Sequence, residues 1–220
     1  MIGILDLQGD VVEHLEHLER LGIPVQRVKE PCQIKNVSGL IIPGGESTCL
    51  SRLMRIFDFQ EAIVSAYRQG LKIWGTCAGA ILLATSVKGE SSHLALIDME
   101  IERNSFGSQL DSFTCEASIP RVSPDPLPLI FIRAPKIRKV GAGVDILLWM
   151  DDFIAAAETS QILTTTFHPE LTASLAFHRY FAVKCGLDVK NGVAENLDWR
   201  TTSWTRFTRI AGTGVSRDMV

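Results

Sequence analysis

The sequence contains few cysteines, and their spacing excludes two common kinds of cysteine-rich site. Its 220 residues include five cysteines, an odd number, and no two of them form a CxxC pair. Disulfide frameworks and structural zinc sites need paired or closely spaced cysteines. We therefore expect free thiols, as in a reducing compartment, and we predict a cytoplasmic protein without a metal site.

The sequence also lacks a basic field and a long apolar run. The formal net charge is −3 and the isoelectric point is about 6.0, so the chain offers no general attraction to a nucleic-acid backbone. No apolar run approaches the roughly 18 residues of a membrane-spanning helix, and the start of the chain lacks the basic region of a signal peptide. We predict no nucleic-acid or membrane partner and expect a small polar ligand.

What the sequence does contain is an alternation of short apolar runs with helical patterns. The runs at Val25–Val28, Gly39–Ile42 and Ile73–Gly75 have the length of strands, and helical spacing occurs between them. This alternation predicts a parallel sheet covered by helices on both faces. From Met99 to Thr166 the runs are shorter and richer in β-branched and aromatic residues. The predicted fold class is α/β, in three layers, with a mostly parallel central sheet and added antiparallel strands.

Several element boundaries follow from these patterns. The first strand is expected at Ile2–Leu7, and Asp10 then opens a helix with a capping-box-like pattern. A helix is predicted at Ala78–Ser86, and a closing helix at Ala173–Cys185.

The composition changes near the end of the chain. Residues 1–186 show no internal break and can enclose one core, so we predict a single domain there. Residues 187–220 are polar, rich in Thr, Arg, Asn and Gly, and lack clear periodicity. We interpret this tail as mobile or as a segment that docks elsewhere.

Cys77 lies where a short apolar run breaks at glycine and resumes as a helical pattern, in the sequence KIWGTCAGAILL. A strand-to-helix elbow of this kind displays a nucleophile. A helix that begins at Ala78 would point its free N–H groups at whatever the sulfur attacks and would favour the thiolate. The alternative is a buried core cysteine, the commoner role of an isolated cysteine. The elbow alone does not decide between them.

A late segment, TFHPEL, supplies the base and the orienting group that a cysteine nucleophile needs. Pro169 favours an extended conformation at His168, in which Glu170 points to the same side and fixes the histidine tautomer. The alternative is a polar turn at a strand end, which we would prefer for this segment alone. Together with the elbow, the segment favours a triad of Cys77, His168 and Glu170.

The glycine-rich loop Pro43–Thr48 follows an apolar strand and opens a helix. It lacks the lysine and the spacing of a phosphate-binding P-loop. A second interpretation is a plain turn capped by Ser47. A third is that a backbone N–H of this loop joins the N–H of Ala78 as an oxyanion hole, because glycine permits the close approach that such donors need.

These motifs occur together in one family of enzymes. They are LQGD at 7–10, PGGEST at 43–48, GTCAG at 75–79, RNSFGSQ at 103–109, FIRAP at 131–135 and FHPEL at 167–171. The sequence thereby resembles the class I (triad) glutamine amidotransferases, and among them the glutaminase subunits of pyridoxal 5'-phosphate synthase. The motifs RNSFGSQ and FIRAP carry the narrower resemblance. It covers residues 1–186 and implies a flavodoxin-like arrangement of the sheet.

The resemblance implies a role for each matching residue. Cys77 would attack the side-chain amide of L-glutamine, His168 would act as base and then as acid, and Glu170 would orient His168. The backbone N–H groups of Gly45 and Ala78 would hold the oxyanion. The positions that match glutamine contacts are Gly45, Glu46, Ser47, Arg103, Ile132 and Arg133.

Either arginine among these positions, Arg103 or Arg133, would provide the countercharge for the α-carboxylate of glutamine. Without the surrounding motifs, we would interpret each as part of a surface ion pair. The implied reaction forms a glutamyl thioester, releases ammonia and needs no metal or cofactor. The implied partner is a separate synthase subunit, which uses the ammonia to build the vitamin B6 ring within a large hetero-oligomer.

Three residues are not explained by the resemblance. Asp6 stands before the LQGD motif where a small residue is expected, and its carboxylate would repel a thiolate nearby or engage an arginine. His14 and His17 lie one helical turn apart, a spacing that favours a solvated helix face over a metal pair.

Two other functions stay open. A DJ-1-like or peptidase-like cysteine enzyme of related fold would not need the Arg103 motif or a late His-x-Glu. A catalytically silent or regulatory binding subunit would keep the triad as a scaffold. Labelling of Cys77 by a glutamine-analogue electrophile would separate these possibilities.

Overall fold

The structure is a computed structural model that describes residues 1–103 and 112–189. Residues 104–109 of the predicted RNSFGSQ motif lie outside these ranges, as does the predicted tail after residue 189. No helix in the described ranges has the length and apolar character that crossing a bilayer requires.

Helices and strands alternate through the first half of the described chain. The α-helices are α1 (Val11–Arg20), α2 (Ser47–Ile56), α3 (Phe59–Arg68), α4 (Ala78–Leu83) and α5 (Ala176–Lys184). The strands are β1 (Ile2–Leu5), β2 (Val25–Val28), β3 (Gly39–Ile42), β4 (Lys72–Thr76), β5 (Ala84–Val87), β6 (Ile97–Glu102), β7 (Phe113–Ala117), β8 (Leu127–Phe131), β9 (Lys136–Val140), β10 (Asp145–Met150), β11 (Phe153–Glu158) and β12 (Ile162–Thr165). Short 3-10 helices lie at Pro31–Asn36 and Pro169–Leu171.

Within the described ranges, the main sheet has ten strands in the order β2-β1-β3-β4-β12-β11-β9-β6-β5, with β10 paired to β11. Its first five strands are parallel to their neighbours. Strand β11 then runs antiparallel to β12, and β9 and β6 continue in alternating directions. Strands β7 and β8 form a separate antiparallel pair. The prediction of a mostly parallel sheet with added antiparallel strands is confirmed.

Alternate residues of the central strands face opposite layers, because successive side chains of a strand point to opposite sides of the sheet. Leu40 and Ile73 belong to one apolar cluster with residues of α2 and α3. Ile41 and Trp74 belong to the other, with residues of α1 and α5. Trp74 is fully buried, and a side chain of this size contributes about 2–3 kcal/mol by leaving water. Two separate packed layers therefore hold the sheet from both sides.

One predicted helix was too long. Helix α4 ends at Leu83, and Ala84 has the extended ψ of 142°. Residues Ala84–Val87 form β5 instead, which pairs with β6. The Thr85 hydroxyl accepts from the Met99 backbone N–H at 3.2 Å. Pairing with a neighbouring strand thus outweighs the helical spacing of the sequence.

Two further boundaries were too wide. Strand β1 ends at Leu5 rather than at residue 7. Helix α5 starts at Ala176 rather than Ala173, because the preceding backbone is held in turns by side-chain hydroxyls. The Ser174 N–H donates to the Thr172 hydroxyl at 3.2 Å, and the Ala176 N–H donates to the Ser174 hydroxyl at 3.3 Å.

Candidate active site

The loops that follow β1, β3, β4 and β12 meet at the carboxyl edge of the parallel strands, where α/β sheets bind ligands. The Asp10 N–H donates to the Gly44 carbonyl at 3.3 Å, which joins the first two loops. The Cys77 N–H donates to the Thr165 carbonyl at 2.8 Å, which ties the elbow to β12. A side chain at Gly9 would collide with the Gly44 carbonyl, so this convergence requires glycine.

Cys77 stands between β4 and α4 in a strained conformation. Its φ is 45° and its ψ is −101°, values that cost a non-glycine residue about 1–3 kcal/mol. The sharp turn brings α4 against β3, and a Cβ at Gly79 would collide with the Ile42 carbonyl. The turn leaves Cys77 only 7% exposed but on the wall of a cavity.

His168 and Glu170 form a short, buried hydrogen bond. The distance between His168 Nδ1 and Glu170 Oε1 is 2.7 Å, and the residues are 5% and 2% exposed. The His168 N–H donates to the Ile130 carbonyl at 2.9 Å, which anchors the segment to β8. Pro169–Leu171 is a 3-10 turn rather than extended chain, and this turn places the carboxylate beside the ring. The bond at Nδ1 leaves Nε2 for another partner.

Cys77 is one of the residues that act on the pKa of His168. Burial by itself would lower the pKa of His168. The charges of Cys77 and of Glu170, and the hydrogen bond that the His168 ring donates to Asp10, outweigh burial and raise this pKa well above 6.5. A protonated histidine near a thiol is the arrangement that a cysteine nucleophile requires.

Asp10 contributes a second carboxylate to His168, a role that the sequence pattern did not reveal. It stands at the N-terminus of α1, but its side chain makes no capping hydrogen bond, so the predicted capping box is wrong. Its Oδ2 atom lies 3.3 Å from His168 Nδ1. Burial raises the pKa of Asp10, but the hydrogen bond with His168 and the charge of that ring outweigh it and lower the pKa below 3.8.

His14 and His17 are buried, so the predicted solvated face is wrong. They are 0% and 5% exposed, and His178 of α5, also 0% exposed, packs against both rings. The helical spacing correctly places both histidines on one face of α1. That face contacts α5 rather than solvent, which spacing alone does not reveal.

Asp6 is engaged by basic side chains of β2 and of the residue after it. Its Oδ2 atom lies 2.6 Å from Arg27 Nε and 3.6 Å from Lys29 Nζ. Of the two expectations for Asp6, the structure shows the pairing with an arginine. A different carboxylate, that of Asp10, lies beside His168.

A cavity of about 270 Å³ opens beside the thiol. It is lined by Gly45, Glu46, Ser47, Cys77, Ala78, Ile81, Arg103, Ile132, Arg133 and Pro135. The structure thus brings together both predicted oxyanion-hole residues and all the predicted glutamine contacts around one space. The cavity combines backbone N–H groups, a carboxylate and two guanidinium groups, which suits a small zwitterion.

Arg103 and Glu46 are linked at the rim of this cavity. Arg103 Nη2 lies 3.5 Å from Glu46 Oε1, and Arg103 Nη1 lies 2.8 Å from Glu90 Oε2. The Glu46 carboxylate also caps α2 by accepting from the Thr48 and Cys49 N–H groups at 2.9 and 2.6 Å. The cap of α2 is therefore Glu46. The interpretation of this loop as a plain turn capped by Ser47 is wrong.

Arg133 differs from Arg103 in its surroundings. It is exposed and has a φ of 43°, a strained conformation that directs the chain around the cavity mouth.

No sequence motif identifies Glu90 as part of the site, because its pairing with Arg103 is visible only in the folded structure.

A second cavity of about 460 Å³ lies on the His168 side of the thiol. It shares Gly45, Glu46, Cys77, Ile132 and Arg133 with the first cavity, and adds Gln8, Asp10, Glu13, His168 and Leu171. Gln8 accepts from the Glu46 N–H at 3.0 Å and so braces the glycine-rich loop. Cys77 is therefore reached from two sides.

One group of side chains in the described ranges has the proximity of a metal site. Donor atoms of Asp10, His168 and Glu170 lie within 4.8 Å of one another. Both carboxylates face the same ring nitrogen, Nδ1, and Glu170 is hydrogen-bonded to it. This geometry is that of a histidine held between two carboxylates.

The chain matches a family model and named relatives. The model of the SNO glutamine amidotransferase family matches residues 4–187. A protein of Syntrophus aciditrophicus (strain SB), named pyridoxal 5'-phosphate synthase subunit PdxT, is 60% identical over 208 residues, 93% of each chain. A protein of the same name from Clostridium botulinum (strain Loch Maree / Type A3) is 45% identical over 185 residues, which are 83% of this chain and 96% of that one.

Solved structures agree with these matches. A structure described as a glutamine amidotransferase superposes with a TM-score of 0.80 at 36% identity and covers 84% of this chain and 99% of that one. PurLQS from Thermotoga maritima superposes with a TM-score of 0.61 at 14% identity, a likeness of fold alone. The family model spans most of the chain, and the relatives match across it. The chain therefore belongs to the SNO glutamine amidotransferase family.

Proposed function

We propose that this protein hydrolyses L-glutamine to L-glutamate and ammonia with a triad of Cys77, His168 and Glu170, as the glutaminase subunit of a pyridoxal 5'-phosphate synthase. The observation that carries the proposal is the buried 2.7 Å bond between His168 and Glu170 beside a thiol on a cavity wall. A peptidase-like function is not supported, because the family and its named relatives are amidotransferases and synthase subunits.

The first half of the reaction releases ammonia. The Cys77 thiolate adds to the side-chain amide carbon of glutamine, and the carbonyl oxygen becomes an oxyanion. His168, carrying a proton, delivers it to the amide nitrogen as the C–N bond breaks. Ammonia leaves, and a glutamyl thioester on Cys77 remains.

The second half restores the enzyme. His168 accepts a proton from a water molecule that attacks the thioester carbon. The C–S bond breaks, glutamate forms, and the sulfur regains its thiolate form beside the protonated ring. Glu170 keeps the ring oriented in both halves, because Nδ1 stays bonded to its carboxylate.

The oxyanion hole in this proposal consists of the Gly45 and Ala78 N–H groups. Both residues line the cavity that contains the thiol. Two backbone donors are suited to an oxyanion because they are held in place before the charge develops, and one such donor contributes on the order of 10²–10³ in turnover.

Substrate binding in this proposal uses the rim of the same cavity. Arg133 is exposed toward it and is suited to the α-carboxylate of glutamine. Arg103 is already engaged by Glu90 and Glu46, so we assign it to holding the rim around the substrate. Glu46, Ser47 and Ile132 complete the contacts along the cavity wall.

In this proposal the synthase subunit consumes the ammonia. We also propose that the protein is cytoplasmic. The relatives from Syntrophus and Clostridium are both named subunits of pyridoxal 5'-phosphate synthase. The second cavity, on the His168 side of the thiol and continuous with the substrate cavity at shared residues, gives space for the released ammonia.

The test is glutamate release from glutamine by the purified chain, alone and with the synthase subunit of the same organism. We expect release that rises with the partner present and that is abolished in the Cys77→Ala variant. No release in either mixture, from a folded wild-type protein, would favour a catalytically silent subunit. Comparable release by Cys77→Ala would overturn the assignment of the nucleophile.

A further inference from the structure

A cluster of buried histidines lies directly behind the triad, and the proposed reaction does not use it. His14 and His17 come from α1 and His178 from α5. His14 Nδ1 lies 2.8 Å from His178 Nε2, and His14 Nε2 lies 3.6 Å from Glu170 Oε2. The cluster therefore reaches the carboxylate of the triad on the side away from His168.

His17 has a structural role in this cluster. Its Nδ1 and Nε2 atoms lie 2.9 Å from the Glu13 and Thr172 carbonyl oxygens. It thereby links α1 to the chain that follows the Pro169–Leu171 turn. Both of its ring nitrogens face backbone oxygens rather than the carboxylate of Glu170.

The contact between His14 and His178 contains one hydrogen between two nitrogens, because both rings are uncharged. Burial lowers the pKa of His14 to about 3 and the pKa of His178 well below 6.5. Either His178 Nε2–H donates to His14 Nδ1, or His14 Nδ1–H donates to His178 Nε2. The remaining ring atoms decide between these two arrangements.

In the second arrangement, His178 would carry its hydrogen on Nδ1, which is buried and has no hydrogen-bond partner. The bare Nε2 of His14 would then face the carboxylate of Glu170, lone pair against lone pair. A buried donor without an acceptor costs about 1–3 kcal/mol. In the first arrangement, His178 Nδ1 carries no hydrogen, and the His14 Nε2–H faces Glu170 Oε2 and the Thr76 hydroxyl, 3.5 Å away.

Glu170 needs such a donor. Burial raises its pKa, and the charge of His168 opposes that rise. Within the described residues, its Oε2 atom is buried without a hydrogen-bond partner, and His14 Nε2 is an N–H group at ion-pair distance from it. Asp10 adds a further negative charge that makes ionisation of Glu170 harder.

We infer that His14, held in one tautomer by His178, is a positioning residue for the catalytic base: its Nε2–H faces the outer oxygen of Glu170 and keeps this carboxylate ionised and turned toward His168. The inference rests on the proposed function. The line of groups behind Cys77 then contains His168, Glu170 and the two neutral histidines His14 and His178.

The groups that surround this line are few. Glu170 faces His168, Asp10, His14 and its own backbone N–H, and the charge of Arg20 acts on His17 and His178. His14 also experiences the charges of His17, Asp10 and His168. None of these other groups places an N–H at Glu170 Oε2, so loss of His14 is not compensated from another element of the described chain.

The test compares His14→Met with His14→Gln. Methionine fills similar space without a donor, whereas the glutamine Nε2 can take the place of the histidine Nε2. One readout is the rate of Cys77 alkylation by iodoacetamide as a function of pH, measured on the chain alone. The other is kcat and KM for glutamine hydrolysis in the complex with the synthase subunit.

For His14→Met we expect an alkylation profile shifted to higher pH and a rate at pH 7 about tenfold lower, the effect of a shift of one pKa unit. The reason is that a protonated Glu170 supports the His168 imidazolium less, and the thiolate depends on that imidazolium. In the complex, kcat should fall while KM stays near that of the wild type. His14→Gln should return the profile toward that of the wild type.

The matched control is Leu18→Met, a volume-conserving change of a buried residue of the same helix that has no polar group to present to Glu170. It should leave the alkylation profile unchanged. If the wild-type complex releases glutamate and the His14→Met profile is unchanged, the inference is overturned. A wild-type complex that releases no glutamate would overturn the proposed function instead.

If His14→Met does not fold, His14→Asn and His14→Gln decide. The asparagine amide reaches toward His178 but is too short for Glu170, whereas the glutamine amide reaches Glu170. We expect the Asn variant alone to show the shifted profile. Equal profiles for the two variants would overturn the inference.

Discussion

The Oδ2 atom of Asp10 lies 3.3 Å from Nδ1 of His168, the same ring nitrogen that bonds to Glu170. A second carboxylate beside a histidine stabilises its protonated form. Because protonated His168 delivers a proton to the departing ammonia in the proposed mechanism, we expect Asp10 to extend activity toward alkaline pH.

The Asp10→Asn variant should show a lower pKa of His168, because one of the two carboxylates that raise it is lost. The shift should stay below about one unit, since the Asp10 side chain is 32% exposed and partly screened. The alkaline limb of kcat should move to lower pH. NMR titration of His168 and the pH profile of glutamine hydrolysis measure these two effects, and an unmoved alkaline limb would contradict the assignment. Glu13→Gln, in the same cavity, is the control.

The φ of 45° at Cys77 predicts a difference between two inactive variants. Both Cys77→Ala and Cys77→Gly remove the thiol and should abolish hydrolysis. Glycine adopts positive φ without the Cβ penalty, so Cys77→Gly should be the more stable of the two by roughly 1 kcal/mol. Urea denaturation measures the free energies of unfolding. A more stable alanine variant would show that the elbow is not strained in solution.

Gly79 is the position where α4 approaches β3 most closely. A Cβ there would collide with the Ile42 carbonyl, so Gly79→Ala should destabilise the protein by about 2 kcal/mol or more and displace Cys77. Gly22→Ala is the matched control, because its φ is +68° but nothing lies within 4 Å of its Cβ. The control should lose only about 1 kcal/mol and keep full activity. Thermal unfolding and glutamate release distinguish a clash from backbone strain.

The two arginines of the cavity should respond differently to substitution. Arg133→Gln should raise KM about tenfold or more with little change in stability, because Arg133 is exposed and is assigned to the substrate carboxylate. Glu90→Gln should leave KM closer to that of the wild type, although it breaks the 2.8 Å pair with Arg103. An exposed pair of this kind contributes only about 0–1 kcal/mol. Equal rises of KM in both variants would show that the assignment of Arg133 is wrong.

Local sequence patterns predict much of the strand-and-helix framework around this site. The apolar run before Gly75 predicts a strand, and the apolar residues after the thiol predict the start of a helix. The elbow at Cys77 lies between them. These features can be predicted because each depends on residues that are neighbours in the chain. The same holds for Val25–Val28 and Gly39–Ile42, where predicted and observed strands coincide.

The features that the sequence does not reveal depend on contacts between distant parts of the chain. Asp10 has the pattern of a helix cap, but its carboxylate meets His168, which comes from the other end of the chain. His14 has the spacing of a surface residue, but α5 covers it. Glu90 pairs with Arg103 across the segment that contains β6, and no motif marks this pair. Tertiary packing overrides local preference at each of these positions.

The low pKa of buried His14 predicts that this residue makes the protein less stable as the pH falls from 7 to 5, whereas His168, whose pKa is raised, contributes with the opposite sign. Burial lowers the pKa of His14 to about 3 in the folded chain, while an unfolded histidine titrates near 6.5. Between these values the unfolded state binds the additional proton, so stability is present above pH 6.5 and declines below it. A single such histidine removes about 2 kcal/mol between pH 7 and pH 5, at 1.36 kcal/mol for each pKa unit.

The free energy of unfolding of His14→Gln should therefore fall by about 2 kcal/mol less than that of the wild type over this range, as measured by urea denaturation at both pH values. Lys35→Gln, an exposed residue outside the histidine cluster, is the control and should keep the wild-type loss. Equal losses for His14→Gln and wild type would mean that His14 is charged in the folded protein, which would also remove the tautomer that Glu170 requires.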